Sequence, residues 1–231
     1  HWDHIQGFPF FAPAYSEKYR LKVHSVRRPH PSMRDLLSHQ QDVNFFPVPL
    51  SSLESHLEFV QMEEAESYSM GPFRVSCRRL NHPGITAGFR IEHGDDVVAY
   101  VSDVAPSRDL LLAEHVGSGS EETILECLYE NQLALADRAT VVIYDTFFTP
   151  DAYQERKHWG HSTTQDAVEA CKRAGARHLF LFHHNPDRND QELATQLELD
   201  RALYEDDTFT MGAATEGCTY RLTAREVVPC G

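Results

Sequence analysis

Four strand-like runs in this chain stop on side chains that can bind metal or carry protons. Residues 97–102 lead into Asp103, 141–144 into Asp145 and 179–182 into His183, while 73–80 lead through Asn81 to His82. The chain opens on His1-Trp2-Asp3-His4, three nitrogen and oxygen donors in four residues. Imidazole and carboxylate without a thiolate suit zinc, manganese or iron, and argue against a purely structural zinc site. The bland reading of the opening cluster alone, a chance grouping at a frayed end, is as good as the metal reading. Set beside His82, Asp103 and His183, the cluster reads as part of a divided metal site.

Strand ends position such residues because a sheet fixes their spacing and the loops beyond it leave them open. Strand signals fall at 73–80, 86–92 and 97–102, the last two joined by Gly94-Asp95-Asp96, and again at 140–144 and 178–183. Short strands are expected near 19–24, 208–211 and 218–223. Ser32 is a candidate cap for a helix over 32–39. Ser118 with Glu121 reads as a capping box for a long helix to about Asp137, and Ser162 with Gln165 as another. That second helix carries Ala167, Val168, Ala170, Cys171 and Ala174 at helical spacing and stops at Gly175. A further helix is expected over 190–205. Residues 7–11 read as an apolar patch buried against the core, and 40–70 as an irregular surface excursion over the site.

The 231 residues read as one α/β domain spanning 1–231, or slightly less than one of the larger kind, with 41% hydrophobic and 24% charged residues. A formal charge of −14 argues against broad electrostatic capture of nucleic acid, so a bulky nucleic-acid substrate is not expected. Five scattered cysteines without a Cys-x-x-Cys pair indicate reduced thiols and a cytoplasmic setting. No apolar run approaches the roughly 20 residues of a membrane span, so no membrane association is expected. Of the fourteen histidines, His24, His30, His39, His56, His93 and His115 carry no positional signal.

The ordered motifs resemble those of the metallo-β-lactamase superfamily. His1-Trp2-Asp3-His4-Ile5-Gln6-Gly7 is similar to the tail of its His-x-His-x-Asp-His signature, Leu80-Asn81-His82-Pro83 to its next histidine motif, Ser102-Asp103 to its bridging aspartate, and Leu181-Phe182-His183 to its last histidine. Gly160-His161-Ser162-Thr163 and His183-His184-Asn185-Pro186 resemble the phosphodiesterase branch that includes RNase Z and cyclic-nucleotide phosphodiesterases. The first histidine of the signature would precede His1 by two residues. The chain is therefore expected to lack an N-terminal sheet portion of an αββα sandwich, which leaves the activity of this piece in question.

The resemblance implies two divalent ions, zinc first with manganese or iron as alternatives. His1 and His82 would hold one ion, Asp3, His4 and His183 the other, and Asp103 would bridge them. Two ions roughly 3.5–4 Å apart can share a hydroxide nucleophile and clamp the entering and leaving oxygens of a phosphodiester. Asp3 would orient that hydroxide or take its proton. His161 would protonate the leaving alkoxide, oriented by Asp145. The plain alternative for His161 is a structural histidine at a helix start. His184, His158, Lys157 and Arg188 are phosphate-contact candidates whose plainer role is at the surface, and Trp2 with Phe8 to Phe11 reads as core packing before base binding. The expected substrate is a small phosphodiester or nucleotide, and a homodimer is left open. Two rivals stand beside this reading: an ester, lactone or amide hydrolase of the same superfamily, and a non-catalytic metal-binding regulatory domain.

Overall fold

The computed structural model of the protein describes residues 1–53, 56–111, 119–222 and 227–230. The chain divides into two compact units, His1–Glu63 and Glu64–Gly231. The first unit opens with a single turn of helix, α1 (Trp2–Ile5), and pairs β1 (Arg20–Val26) in parallel with β2 (His56–Met62). Between the strands lies α2 (Met33–Gln40), where Ser32 and Asp35 cap each other reciprocally. The Gln40 side-chain amide donates to the Ile5 carbonyl at 2.7 Å, tying α2 to α1.

Two expectations fail in this stretch. Phe10 is 75% exposed, and Trp2 and Phe11 are also exposed, so residues 7–11 do not form a buried patch. The 40–70 stretch is not irregular: it holds β2 and then β3 (Ser67–Met70). Leu57 and Phe59 alternate with His56 and Glu58 in the manner of a half-covered strand, a signal masked by Pro47 and Pro49 upstream and the acidic run downstream.

The second unit is built on a seven-stranded sheet in simple sequence order, β3, β4 (Phe73–Arg79), β5 (Ala87–His93), β6 (Asp96–Val101), β7 (Val141–Asp145), β8 (His178–Phe182) and β9 (Thr210–Ala213). Pairing is antiparallel from β3 to β6 and parallel from β6 to β9. Parallel neighbours need crossovers, and three stretches supply them: α3 (Glu121–Ala136), α4 (Pro150–Arg156) with α5 (Thr164–Arg173), and α6 (Asp190–Tyr204). A separate hairpin, β10 (Thr219–Leu222) with β11 (Val227–Cys230), follows.

Strands β6 to β8 are apolar because helices cover them. Ala99, Val101, Val142, Tyr144, Leu179 and Leu181 join Leu135 of α3 and Ala167, Val168 and Cys171 of α5 in one buried core. Gly88 marks the closest approach: a β-carbon there would lie 2.5 Å from a Leu135 methyl and 2.9 Å from the Tyr100 carbonyl oxygen. The mixed sheet with crossover helices is the expected α/β architecture.

The helix starts need adjustment. Ser120 caps α3 by accepting from the Thr123 amide, and Ser118 lies outside the described residues. The box on α5 is Thr163 with Asp166, one residue beyond the expected Ser162 and Gln165. Ser162 is instead fully buried and donates its hydroxyl to the Val104 carbonyl at 2.6 Å.

Candidate metal centre

The carboxyl ends of β6, β7 and β8 lie side by side, and each carries its predicted residue there. Asp145 is the last residue of β7, His183 directly follows β8, and Asp103 sits two residues beyond β6. Asp103 and His183 both adopt left-handed backbone, with φ of 60° and 58°. Such conformations cost non-glycine residues on the order of 1–3 kcal/mol and gather where a site over-determines them. Here the turn swings both side chains together: His183 Nε2 lies 3.2 Å from Asp103 Oδ1. The other Asp103 oxygen lies 3.7 Å from His82 Nε2. One buried carboxylate thus faces an imidazole with each of its oxygens, the disposition of a bridging ligand.

His82 is held in the tautomer that ligation needs. Its Nδ1 meets the Gly160 carbonyl oxygen at 2.8 Å, and since a carbonyl only accepts, Nδ1 carries the proton and Nε2 keeps its lone pair toward Asp103. Burial pushes the His82 pKa below the usual histidine value, favouring this neutral form. Gly160 has φ of 87°, and a β-carbon there would sit 2.5 Å from His82 Nδ1 and 2.6 Å from Pro83 Cδ. Only glycine allows the close approach.

His161 stands against the same cluster. Its Nδ1 lies 2.7 Å from Oδ2 of the fully buried Asp145. Asp145 also accepts from the Val104 amide at Oδ2 and the Phe147 amide at Oδ1, both at 3.1 Å. Its oxygens thus hold His161 through Nδ1, together with the chain around it, and Nε2 is the ring nitrogen directed away from Asp145. The ring packs against both Phe147, 5.0 Å away at 26°, and His183, 4.7 Å away at 23°, which are themselves 5.7 Å apart, so the three rings form a triangular cluster.

Ligand-capable atoms of Asp103, Asp145, His161 and His183 fall within 4.8 Å of one another. A cluster of imidazole and carboxylate donors, with one carboxylate set between two imidazoles and a tautomer-fixed histidine, fits a divalent ion such as zinc, manganese or iron. In the first unit, Asp3 and His4 lie on α1 with His1 at its cap; all three are exposed, and His4 Nε2 lies 3.3 Å from Asp3 Oδ2.

The phosphate-contact candidates are dispersed. His184 Nε2 meets the Ala214 carbonyl at 3.2 Å, and Arg188 donates weakly to the Glu192 carbonyl. Lys157 Nζ lies 3.8 Å from Asp109, and His158 is exposed. Sequence reasoning missed Asn81. Its buried side chain donates to the Pro106 and Asp109 carbonyls and accepts from the Leu111 amide, fastening the loop after Asp103 to the segment bearing His82. Arg108 pairs with Asp166, and the Tyr153 hydroxyl donates to Asp109, securing the same loop. No local pattern signals these roles, since the partners lie tens of residues away.

No helix among the described residues is long and apolar enough to cross a membrane. Comparison with known proteins gives consistent relatives. A family described as "Beta-lactamase superfamily domain" matches residues 1–184. Ribonuclease Z of Limosilactobacillus reuteri is 26% identical over 212 residues, which cover 79% of this chain and 67% of that protein. The metallo-beta-lactamase fold protein YhfI from Bacillus subtilis superposes with a TM-score of 0.63 at 17% identity, over 94% of this chain and 72% of that one. Unliganded yeast PDE1 gives 0.60 at 15% identity, over 94% and 65%. The chain thus spans about two thirds of the length of such relatives. With the family match running through the strand ends that gather Asp103, Asp145 and His183, the chain belongs to the β-lactamase superfamily, among its metallo-β-lactamase-fold hydrolases.

Proposed function

We propose that this chain is a phosphodiesterase dependent on two divalent ions, zinc first. The observation that carries this reading is the oriented His161–Asp145 pair set against the Asp103–His183–His82 cluster. His82 and His183 would each hold an ion with Asp103 between them, and the motif resemblance adds His1, Asp3 and His4. When bound, the ions would supply Lewis-acid charge and lower the pKa of water.

The protein residues do the rest. By the motif resemblance, Asp3 would orient the attacking water or take its proton as the water oxygen bonds to phosphorus. The bond from phosphorus to the leaving alcohol breaks, and His161 Nε2 delivers a proton to that departing oxygen. With Nδ1–H committed to Asp145, the donor is the imidazolium, whose charge the buried carboxylate steadies. The net charge of −14 favours a small phosphodiester or nucleotide over a bulky nucleic acid.

The test compares leaving groups. His161→Ala is expected to slow hydrolysis of an alkyl phosphodiester by roughly 10²–10⁴-fold. A nitrophenyl ester, whose leaving group departs without a proton, should lose far less, and metal content should hold. Equal losses on both esters, or loss of metal, would assign His161 to structure or coordination instead.

A further inference from the structure

Trp159 lies two residues before His161, at the end of a 3-10 turn (Lys157–Trp159), and its indole is 46% exposed. The indole is buttressed by neighbouring rings. Its ring packs against Phe147 at 6.2 Å and Phe148 at 6.0 Å. Those rings and the fully buried Tyr153 form a small hydrophobic cluster of their own. Phe147 is also the ring stacked on His161, so one side chain sets the position of both the proton donor and the indole. The Arg156 guanidinium lies over the indole ring, 5.5 Å from its centroid. Gly160, fixed by its contact with His82, sets the turn between Trp159 and His161.

We propose that Trp159 is a stacking platform for the base of a nucleoside leaving group, with Arg156 over its ring as the cationic flank that the base packs alongside. The proposal rests on the phosphodiesterase reading and narrows its substrate class. The group that His161 protonates departs from the His161 side of the centre, and Trp159 is joined to His161 there through Phe147 and Phe148, whose rings contact both. A fixed indole next to a guanidinium is the combination that binds single nucleotides through their π-faces without reading their edges. The platform therefore favours a nucleoside over a small aliphatic alcohol as leaving group, with little preference among bases.

Two measurements test it. The chain has two tryptophans, so Trp2→Phe leaves Trp159 as the sole indole reporter. Its fluorescence should be quenched saturably by adenosine and by 5′-AMP but not by inorganic phosphate. In kinetics, Trp159→Ala should raise KM by roughly 5- to 100-fold for a phosphodiester whose leaving alcohol is adenosine. The same variant should leave KM unchanged for the matching glycerol ester, and Trp159→Phe should restore part of the loss. Quenching by adenosine in a protein that hydrolyses no phosphodiester would uphold the platform while removing the phosphodiesterase reading. Absence of quenching at saturating nucleotide would overturn the proposal. So would equal losses on both esters, which would make Trp159 a prop for Phe147 and His161 only.

Discussion

The two halves of the seven-stranded sheet solve different problems. In the parallel half, β6 to β8 are sealed under α3 and α5, and their apolar runs end on Asp103, Asp145 and His183. In the antiparallel half, β4 and β5 carry charged residues along their length, with Arg74 and Arg90 both paired to Glu92, and contribute only His82 beyond a strand end. The contrast shows why chemistry collects on one side. Parallel strands place all their carboxyl ends at one edge, whereas antiparallel neighbours send alternate ends apart. Two antiparallel steps separate β4 from β6, so β4 runs the same way as β6 to β8 and its carboxyl end, with His82 beyond it, faces the same edge; Gly160 on its ring and Asn81 on the neighbouring loop then hold it there.

The largest effect that would break this contrast is expected at Asp103. Asp103→Ala removes the carboxylate that His82 and His183 share, and divalent-ion affinity should fall beyond the 10–100-fold typical of losing an outer-shell partner. Elemental analysis after desalting reads this directly, and a variant that retains its metal would show that Asp103 is not a bridge. The support on the antiparallel side is the next target. Gly160→Ala drives a β-carbon into His82, so affinity should drop by about 10–100-fold with the fold intact by circular dichroism. Unchanged affinity would mean that His82 can shift without consequence. The smallest effect is expected out on the charged strands. Arg74→Ala removes an ion pair with a mostly exposed arginine, and denaturant unfolding should shift by less than about 1 kcal/mol while metal content stays constant.

The same contrast explains what could be read from sequence. The strands at 140–144 and 178–183 were legible because buried parallel strands are near-continuous apolar runs, and a polar residue ending such a run stands out. β2 was not legible, because its alternation of Leu57 and Phe59 with His56 and Glu58 sits among breakers and acidic residues. The cap of α5 slipped by one residue because Ser162, Thr163 and Thr164 are chemically alike, and only the buried bond from Ser162 to Val104 separates them. Asn81 and Gly160 act through contacts 24 to 78 positions away, which no local pattern encodes.

The proposed role of the strand-end cluster, a metal-dependent hydrolytic centre for phosphodiesters, is tested by stripping the protein with a chelator and following bis(nitrophenyl) phosphate hydrolysis as zinc or manganese is added back. Turnover should be absent in the stripped protein, return in step with bound metal, and stay absent in Asp103→Ala. Metal that binds in full without restoring hydrolysis, or hydrolysis that survives stripping, would contradict the account.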